Sequence, residues 1–342
     1  MLESTWFLLW AVLWIVYFVL DGFDLGVGMI YPFLSREEKE KEILLHTIGP
    51  FWNGNEVWLI AAGGVTFAAF PEVYASLFSG LYTAFMLLLV GLILRGVSVE
   101  LRSQLDNRAW KAVWETGIVL GSFLPALLLG VAFANIFRGL PIDAQGVYQG
   151  GFFGLLNIYG LLGGLVFVAL FVMHGSIWAC YRTAGRLQAR SGRLAQGLWP
   201  VLTILLVLFL ALSAVSTNLY SNYMLYPWLA VVPLLAVAGL LGMRRMIALQ
   251  SWGAAWIASA VTIAGYALFG VAGIYPALIP SSLSPAYSLT LSNASSSQLT
   301  LSIMLVVALI FVPIVLLYQI WCYRRFSHTV TEESVSADEA FY

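Results

Sequence analysis

Long apolar runs separated by short polar connections make up most of this chain of 342 residues. About 20 consecutive apolar residues are enough to cross a bilayer as a helix, and each run that meets this length predicts a transmembrane helix. Nine segments do so, at residues 6–31, 52–70, 75–97, 113–137, 152–181, 198–217, 226–247, 254–278 and 299–323. The pattern predicts an all-α polytopic membrane protein with nine transmembrane helices.

Two of these segments contain polar or helix-disrupting residues. The second begins with the polar residues Asn53, Asn55 and Glu56, and the seventh contains Pro233. Proline is tolerated in a membrane helix where neighbouring helices satisfy the freed backbone groups. The connections are too short to hold a separate soluble domain, so residues 1–326 are expected to form one membrane domain.

Composition supports a membrane location. The chain is 61% hydrophobic and only 10% charged, which leaves too few polar side chains to cover a water-soluble surface. Its net charge of -1 argues against binding of nucleic acid, because a phosphate-binding surface needs concentrated Lys and Arg.

The distribution of basic residues predicts the orientation, because cytoplasmic connections are enriched in Lys and Arg. With nine spans and the N-terminus outside, all of the 16 basic residues except Arg138 fall on the cytoplasmic side. They are Arg36, Lys39, Lys41, Arg95, Arg102, Arg108, Lys111, Arg182, Arg186, Arg190, Arg193, Arg244, Arg245, Arg324 and Arg325. The C-terminus is therefore predicted to be cytoplasmic.

The two ends of the chain and its cysteines give three smaller predictions. No basic residue precedes the first apolar run, which argues against a cleavable signal peptide. Cys180 and Cys322 lie close to arginines on the predicted reducing side, so both are expected to be free thiols. Residues 327–342 are acidic and poor in apolar side chains, which predicts a disordered cytoplasmic tail.

Acidic residues inside the predicted helices are the main indication of function. Asp21 and Asp24 are three residues apart near the cytoplasmic end of the first helix, so they share a face. Asn53 and Glu56 have the same spacing at the start of the second helix, and the two pairs can meet. An Asp at the centre of a membrane helix costs about 3 kcal/mol on insertion scales, so such residues normally face a protein interior or a water-filled path.

Other charged residues fall in the same cytoplasmic half. Arg95 and Glu100 end the third predicted helix and Glu115 begins the fourth, whereas the outer half holds little beyond Glu72 and Asp143. One interpretation is structural, with Arg95 neutralising an acid and the other acids capping helices. The surplus of carboxylates favours the other, a proton or ion path. The candidate path residues are Asp21, Asp24, Asn53, Glu56, Glu100 and Glu115, with Arg95 as a structural ion-pair partner.

Histidine is too scarce for a multi-haem protein. The three histidines, His46, His174 and His328, are scattered, and His174 could supply at most one haem site. A satisfied buried imidazole is the favoured interpretation of His174. Motifs for phosphate binding, for a hydrolase nucleophile or for zinc do not occur. The sequence therefore predicts no metal site and no catalytic centre in this chain.

Five spaced motifs carry a resemblance that runs in order over nearly the whole chain. "DGFDLGVG" closes the first helix, "GPFWNGNEVWL" opens the second and "AAFPEVYASLFSGLY" leads into the third. "GSFLPALLLGVAF" lies in the fourth helix and "ASSSQLTLSIM" enters the ninth. Together they resemble subunit II of the cytochrome bd-type quinol oxidases.

The resemblance implies a terminal oxidase of a prokaryotic respiratory chain, located in the cytoplasmic membrane, that oxidises quinol and reduces oxygen to water. It implies that the two b haems, the d haem and the quinol-oxidising loop belong to an obligate partner, subunit I. Subunit II would be haem-free, with two four-helix bundles and one peripheral helix.

The resemblance also implies roles for individual residues. Asp24, Arg95 and Glu115 are similar to positions that matter for oxidase integrity, and Trp58 to a tryptophan associated with an oxygen route. One position departs from the family motif, since Asn53 occupies a place where the family usually has an Asp associated with a proton path. An amide cannot ionise, so either Glu56 or Asp24 takes over, or protons enter through subunit I.

Two alternatives stay open at this point. An ion-coupled secondary transporter also needs acids within a helical bundle, although transporters usually show broken helices meeting near the midplane. A purely structural scaffold for subunit I would differ only in whether the polar cluster moves protons. The sequence leaves open which quinol is used, whether a quinone or lipid binds in this subunit, whether a small single-helix accessory subunit is present, and where oxygen enters.

Overall fold

The structure, a computed structural model, describes residues 1–338 and consists largely of helices. The long helices are α1 (Leu2–Leu34), α3 (Trp52–Ala69), α5 (Tyr82–Leu101), α6 (Arg108–Arg138), α8 (Ile158–Arg182), α9 (Gly185–Ser216), α11 (Val231–Ala248), α12 (Trp252–Ile274) and α14 (Gln298–Arg325). The shorter helices are α2 (Glu38–Ile48), α4 (Pro71–Gly80), α7 (Phe152–Leu155), α10 (Tyr220–Leu225), α13 (Leu291–Ala294) and α15 (Glu332–Asp338). Two 3₁₀ turns cover Pro227–Ala230 and Pro285–Tyr287.

A small antiparallel hairpin is the only sheet within residues 1–338. Strand β1 (Ala277–Ile279) pairs with β2 (Leu289–Thr290), with Ala277 opposite Thr290 and Ile279 opposite Leu289. It lies between α12 and α14, where the sequence pattern predicted the end of the eighth span. Pro276 precedes the strand and has no N–H to continue the helix, so α12 stops at Ile274.

Within residues 1–338, eight helical segments are long and apolar enough to cross a membrane. They are α1, α5, α6, α8, α9, Pro227–Ala248, α12 and α14. Helix α3, the predicted second span, is formed over 18 residues but is not among the eight. Its first turn carries Asn53, Asn55 and Glu56, which lower its average hydropathy. The chain is an integral membrane protein by these helices, while the ninth span stays a prediction.

Several predicted boundaries were wrong. The run at 75–97 is broken at Leu81 into α4 and α5. The run at 152–181 begins with the short helix α7, and its long helix α8 starts only at Ile158, where the Asn157 side chain accepts a hydrogen bond from the N–H of Gly160 at 2.9 Å. Helix α9 begins at Gly185, well before the predicted residue 198, because polar residues 185–197 extend the helix beyond its apolar part.

The long helices pack into two groups that meet where α8 lies against α1 and α6. Helices α1, α3, α5 and α6 form one group, and α8, α9, α11 and α12 form the other. At the α1–α8 contact, a Cβ on Gly26 would lie 1.9 Å from the backbone oxygen of Phe171, so only glycine permits this approach. Helix α14 lies at the periphery against α1 and α3, and most of its surface is exposed.

Contacts between connections identify the two ends of the bundle. At one end, Lys41 meets Glu115, Arg190 meets Glu40, and Arg182 meets the backbone of His328. We call this the basic end, because it carries the Lys and Arg clusters predicted to be cytoplasmic. At the opposite end, Leu140 pairs with Pro280 and Ser296 with Ala69 through backbone hydrogen bonds.

The described part of the tail differs from the predicted disorder. Residues Glu332–Asp338 form helix α15, and the N–H of Val330 donates to the carbonyl of Arg182 at 2.8 Å. Val330 and Val335 are buried, and Lys39 pairs with Glu332 at 2.8 Å. Two apolar side chains and one ion pair therefore hold this segment at the basic end. Residues 339–342 lie outside the described part of the chain. Cys180 and Cys322 are both free thiols, as predicted.

Candidate functional site

A buried ion-pair cluster lies where α1, α3 and α5 meet, near the basic end. Arg95 of α5 donates through Nη2 to Oδ1 of Asp21 at 2.8 Å and to Oε1 of Glu56 at 2.5 Å. The side chains of Arg95 and Asp21 are 2% and 0% exposed, whereas that of Glu56 is 24% exposed. Arg95 thus joins a fully buried carboxylate of α1 to a partly accessible one of α3.

Asp24 is held by an amide. Its Oδ2 accepts from Nδ2 of Asn55 at 2.7 Å, and the same amide nitrogen donates to the carbonyl of Leu20 at 3.0 Å. The Oδ1 of Asn55 in turn accepts from Nε2 of Gln319 at 2.9 Å and from the hydroxyl of Tyr323 at 3.1 Å. Asn55 therefore connects α1, α3 and α14 in one hydrogen-bonded network.

The network continues to Trp58. Its indole Nε1 donates to Oε1 of Gln319 at 3.0 Å, and its side chain is buried on the same face of α3 as Asn55. Residues three apart on a helix share a face. We call Asp21, Asp24, Asn55, Glu56, Arg95, Gln319 and Tyr323 the inner cluster.

The inner cluster contains more carboxylates than cations. Three carboxyl groups, those of Asp21, Asp24 and Glu56, face the single guanidinium of Arg95. Within the described residues, Oδ2 of Asp21 and Oδ1 of Asp24 are buried and have no hydrogen-bond partner. Carboxylates in surplus at membrane depth are stabilised by binding a proton or a cation. The cluster therefore holds more carboxyl groups than its one arginine can pair with.

Close packing of α6 fixes the position of Arg95. A Cβ on Gly121 of α6 would lie 2.6 Å from the backbone nitrogen of Arg95 and 2.7 Å from the carbonyl of Gly91. Glycine at position 121 therefore lets α5 and α6 approach closely. This contact holds the α5 backbone while the Arg95 side chain points towards α1 and α3.

A groove between α3 and α5 leads to Glu56. It has a volume of about 730 Å³ and is lined mainly by apolar side chains, with three polar residues, Asn53, Glu56 and Glu100. Asn53 and Glu100 are exposed. The groove thus connects the exposed surface of these two helices to the partly buried carboxylate that pairs with Arg95.

Glu115 belongs to a second, separate set of charges. Its carboxylate pairs with Lys41 at 2.8 Å and with Arg102 at 2.9 Å, and Arg102 also pairs with Glu38. We call Glu38, Lys41, Arg102, Lys111 and Glu115 the outer cluster. Burial raises the pKa of the Glu38 carboxyl, but the charge and hydrogen bond of Arg102 together with the charges of Lys111 and Lys41 outweigh burial, so this pKa lies below its usual value.

His174 is buried between α1, α8 and α12 with both ring nitrogens engaged. Nδ1 lies 2.5 Å from Oγ of Ser259, Nε2 lies 3.1 Å from the carbonyl of Val19, and the ring stacks on Trp256 with centroids 5.2 Å apart. Among the described residues, no group of three or more His, Cys, Asp or Glu side chains could hold a metal ion.

Comparison with known proteins identifies the family. The family model for cytochrome bd terminal oxidase subunit II matches residues 2–326. The cytochrome bd ubiquinol oxidase subunit 2 of Bacillus subtilis (strain 168) is 38% identical over 335 residues, covering 97% of this chain and 98% of the relative. The cytochrome bd-I ubiquinol oxidase subunit 2 of Escherichia coli (strain K12) is 37% identical over 367 residues, covering 98% and 96%. This chain belongs to the cytochrome bd oxidase subunit II family.

A solved structure supports the same fold. The bd oxidase from Geobacillus thermodenitrificans aligns with a TM-score of 0.74 at 17% sequence identity, covering 95% of this chain and 98% of that chain. At this identity the match bears on the fold alone. The resemblance of the five sequence motifs to the bd oxidase subunit II family is confirmed by the family model and the relatives.

The structure regroups the polar residues that the sequence suggested for this bd oxidase subunit. Asp21, Asp24, Glu56 and Arg95 meet in the inner cluster, with Arg95 paired to Asp21 and Glu56. Asn53 and Glu100 lie outside it along the groove, and Glu115 lies in the outer cluster. The pairing of Asn53 with the acids of α1 was wrong, because Asn53 is exposed on α3.

Sequence reasoning missed Asn55, Gln319 and Tyr323. Asn55 is the side chain that binds Asp24, and it lies three residues before Trp58 on the buried face of α3. That spacing was available as a signal. Gln319 and Tyr323 are four residues apart on α14, so they also share one face, yet nothing in the sequence indicated that this face meets α3.

Proposed function

We propose that this chain is the haem-free subunit II of a quinol-oxidising, oxygen-reducing complex in a prokaryotic cytoplasmic membrane, and that its inner cluster delivers protons. The complex would contain subunit I as obligate partner, with the b and d haems held there. The observation that carries the proton role is the surplus of carboxylates around Arg95, which opens through Glu56 to the groove between α3 and α5.

Family membership supports the oxidase assignment. Both relatives named above are ubiquinol oxidase subunits by name. Reduction of one oxygen molecule to two water molecules takes four electrons and four protons, and two quinols supply four electrons. Taking protons from the cytoplasm while quinol releases its own outside would separate charge, with about 2.3 kcal/mol stored per elementary charge and 100 mV.

The haem-free assignment is supported by the state of His174. Each of its ring nitrogens already has a hydrogen-bonding neighbour, in Ser259 and in the backbone of Val19. Haem ligation would require one nitrogen to give up that contact and would require space that the stacked Trp256 ring occupies.

The proposed route starts at the basic end, which we take to face the cytoplasm with the N-terminus outside and α3 as a ninth span. A proton enters the groove past Glu100 and Asn53 and binds the partly exposed Glu56. Arg95 remains charged and holds Glu56 close to Asp21, while Asp24 lies within electrostatic reach of both acids. Asp24 and its Asn55 partner would then pass the proton towards subunit I. Trp58 lies beside this network, and we retain it as the oxygen-route candidate.

Glu56 should contribute more to proton transfer here than in relatives with Asp at the position of Asn53. The asparagine amide cannot change its charge, so among Asn53, Glu56 and Glu100 only the two glutamates can bind a proton in the groove. Glu56 is the one of these two that contacts Arg95. This reasoning predicts that Asn53→Asp restores part of the turnover lost in a Glu56→Gln background.

Steady-state oxygen consumption with quinol tests the proposal. In the assembled complex, Asp24→Asn combined with Glu56→Gln keeps the shape of both side chains and removes their ability to carry a proton. We expect turnover to fall by about 100-fold to 10,000-fold, the range by which proton transfer through a positioned group changes rates. The matched control is Glu72→Gln, an exposed acid at the start of α4.

The visible spectrum of the same preparations separates slow proton delivery from failed assembly. Normal haem bands with reduced turnover support the proton role. Normal haem bands with normal turnover over the whole pH range would mean that these acids are structural and that protons enter through subunit I. That outcome would leave a scaffold role for this chain.

A further inference from the structure

A second groove lies beside α14, and Gln319 and Tyr323 of the inner cluster are among its lining residues. It runs between α12 and α14, has α1 and α8 as its floor, and has a volume of about 900 Å³. Its deeper part is apolar, with Val16, Leu20, Ile257, Leu316 and Ile320 among its walls. Arg182, Arg324 and Ser327 line it at the basic end. The groove therefore has an apolar trough with cations at one end.

Arg182 is a buried cation that has no counter-ion within residues 1–338. The residue is 1% exposed, and no described carboxylate lies within ion-pair distance of its guanidinium. The guanidinium carbon lies 5.4 Å from the ring centre of Phe51 and 5.2 Å from that of Trp178, and Nε donates to the carbonyl of His328 at 3.1 Å. Its Nη1 has no hydrogen-bond partner among the described residues.

The other buried arginines of the bundle show how unusual this is. Arg95 pairs with Asp21 and Glu56, and Arg102 pairs with Glu38 and Glu115. A buried charge is costly unless it is paired, and aromatic faces balance only part of a cation's charge. In the described part of the chain, Arg182 thus lacks the anion that both of the other buried arginines have.

Two further groups at the groove lack partners. Arg324 is exposed at the end of α14 and forms no ion pair among the described residues. The indole Nε1 of Trp256, a residue that lines the groove below Arg182, is buried with no hydrogen-bond partner. Counting the described residues alone, the groove therefore offers two unpaired positive charges and one free N–H donor beside an apolar trough.

We propose that this groove binds an anionic phospholipid. Its phosphate would pair with Arg182 and Arg324, its ester groups would lie at the level of Trp256, and one acyl chain would follow the apolar wall towards Leu316. Helix α14 rises about 1.5 Å per residue, so the distance from Leu316 to Arg324, eight residues apart, matches the length of the part of an acyl chain next to the headgroup. A neutral quinone would leave both arginines unpaired, which makes charge the deciding feature.

Lipid titration of the purified complex with its partner subunit tests the site. After delipidation in a non-ionic detergent, phosphatidylglycerol or phosphatidylcholine is added and bound lipid is counted by native mass spectrometry. We expect phosphatidylglycerol to bind more tightly. Arg182→Gln and Arg324→Gln should each weaken phosphatidylglycerol binding by about fivefold, the effect of one basic residue on anionic-lipid binding, and leave phosphatidylcholine unchanged.

Two matched pairs of variants keep the test independent of folding. Arg325→Gln changes an exposed arginine next in sequence that does not line the groove, and it should leave lipid binding unchanged. Leu316→Trp should fill the trough and displace the acyl chain, whereas Leu317→Trp, on an exposed neighbour outside the groove, should not.

Three outcomes would overturn the proposal. They are equal affinity for the two lipids in the wild-type complex, unchanged phosphatidylglycerol binding in both Arg324→Gln and Leu316→Trp, or a quinone held in place of lipid by the wild-type complex and lost in Leu316→Trp. The readout is bound lipid, so it does not depend on whether the inner cluster carries protons. Slow turnover in the acid variants and loss of lipid in the groove variants are therefore separate results.

Discussion

The inner and outer clusters use the same residue types in opposite proportions. In the inner cluster, three carboxylates share Arg95, and two of them, Asp21 and Asp24, are completely buried. In the outer cluster, Glu38 and Glu115 face three cations, Lys41, Arg102 and Lys111, and the side chain of Glu38 is 40% exposed. The inner cluster has fewer cations than carboxylates, whereas the outer cluster has more cations than carboxylates.

This difference separates charge that can change from charge that is fixed. A carboxylate paired with its own arginine or lysine is stabilised in its ionised form and stays deprotonated near neutral pH. A buried carboxylate that shares one arginine with two others is stabilised by binding a proton. The comparison is consistent with the proposed proton role of the inner cluster, whereas the outer cluster joins α2 to α5 and α6.

Replacing the two arginines should break the clusters unequally. We expect Arg95→Leu to destabilise the complex by about 3 to 5 kcal/mol, because it leaves buried carboxylates without a cation. Arg102→Leu should cost less, about 1 to 3 kcal/mol, because Lys41 and Lys111 still face Glu38 and Glu115. Thermal unfolding and the yield of haem-containing complex measure both effects. Equal losses for the two variants would contradict the division into two kinds of cluster.

The two asparagines at the start of α3 provide a sharper test within the inner cluster. Asn55→Leu removes the partner of Asp24, Gln319 and Tyr323 together, and we expect a loss of about 1 to 3 kcal/mol from the unsatisfied buried groups. Asn53→Leu, on the exposed side of the same turn, should change stability by less than about 0.5 kcal/mol. Similar losses from both changes would show that α14 is not anchored through Asn55.

The acids of the inner cluster could be found from sequence because an ionisable residue in a membrane helix is conspicuous. Asp21, Asp24, Glu56 and Arg95 stand out in apolar surroundings, and helical spacing places Asp21 and Asp24 on one face. Their pairing could not be predicted, since Asn53 and Asn55 are equally polar and only the rotation of α3 decides which is buried. For the same reason the sequence could not predict that Glu115 lies in the outer cluster, because it does not give the distance between α5 and α6 at the basic end.

The fold shows the same pattern of success and failure. Apolar length located the long helices, since the bilayer sets a minimum length that the chain has to meet. It failed where helices continue into water, as in the polar start of α9, and where a turn interrupts an apolar run, as at Leu81. The folded tail was missed because two buried valines and one ion pair are too weak a pattern to distinguish from an acidic disordered end.

The smallest expected effect is that of Glu38→Gln in the outer cluster, and its dependence on pH gives a further test of the difference between the two clusters. Glu38 is partly exposed, so its ion pairs with Arg102, Lys41 and Lys111 should contribute no more than about 1 kcal/mol. Burial raises its pKa, but the combined effect of Arg102, Lys111 and Lys41 lowers it below the usual value in the folded chain. A lowered folded pKa means that the stabilisation is fully present above the unfolded value of about 4.3 and is lost as pH falls through the folded value. The stability difference between wild type and Glu38→Gln, measured by thermal unfolding, should therefore be constant from pH 8 to pH 6, as long as the complex stays assembled, and shrink towards zero at acidic pH.

Quinol-dependent oxygen consumption should stay at the wild-type level near neutral pH, in contrast to the Asp24→Asn and Glu56→Gln pair. A fall in turnover with normal haem bands would place the outer cluster on the proton route and remove the distinction between the two clusters.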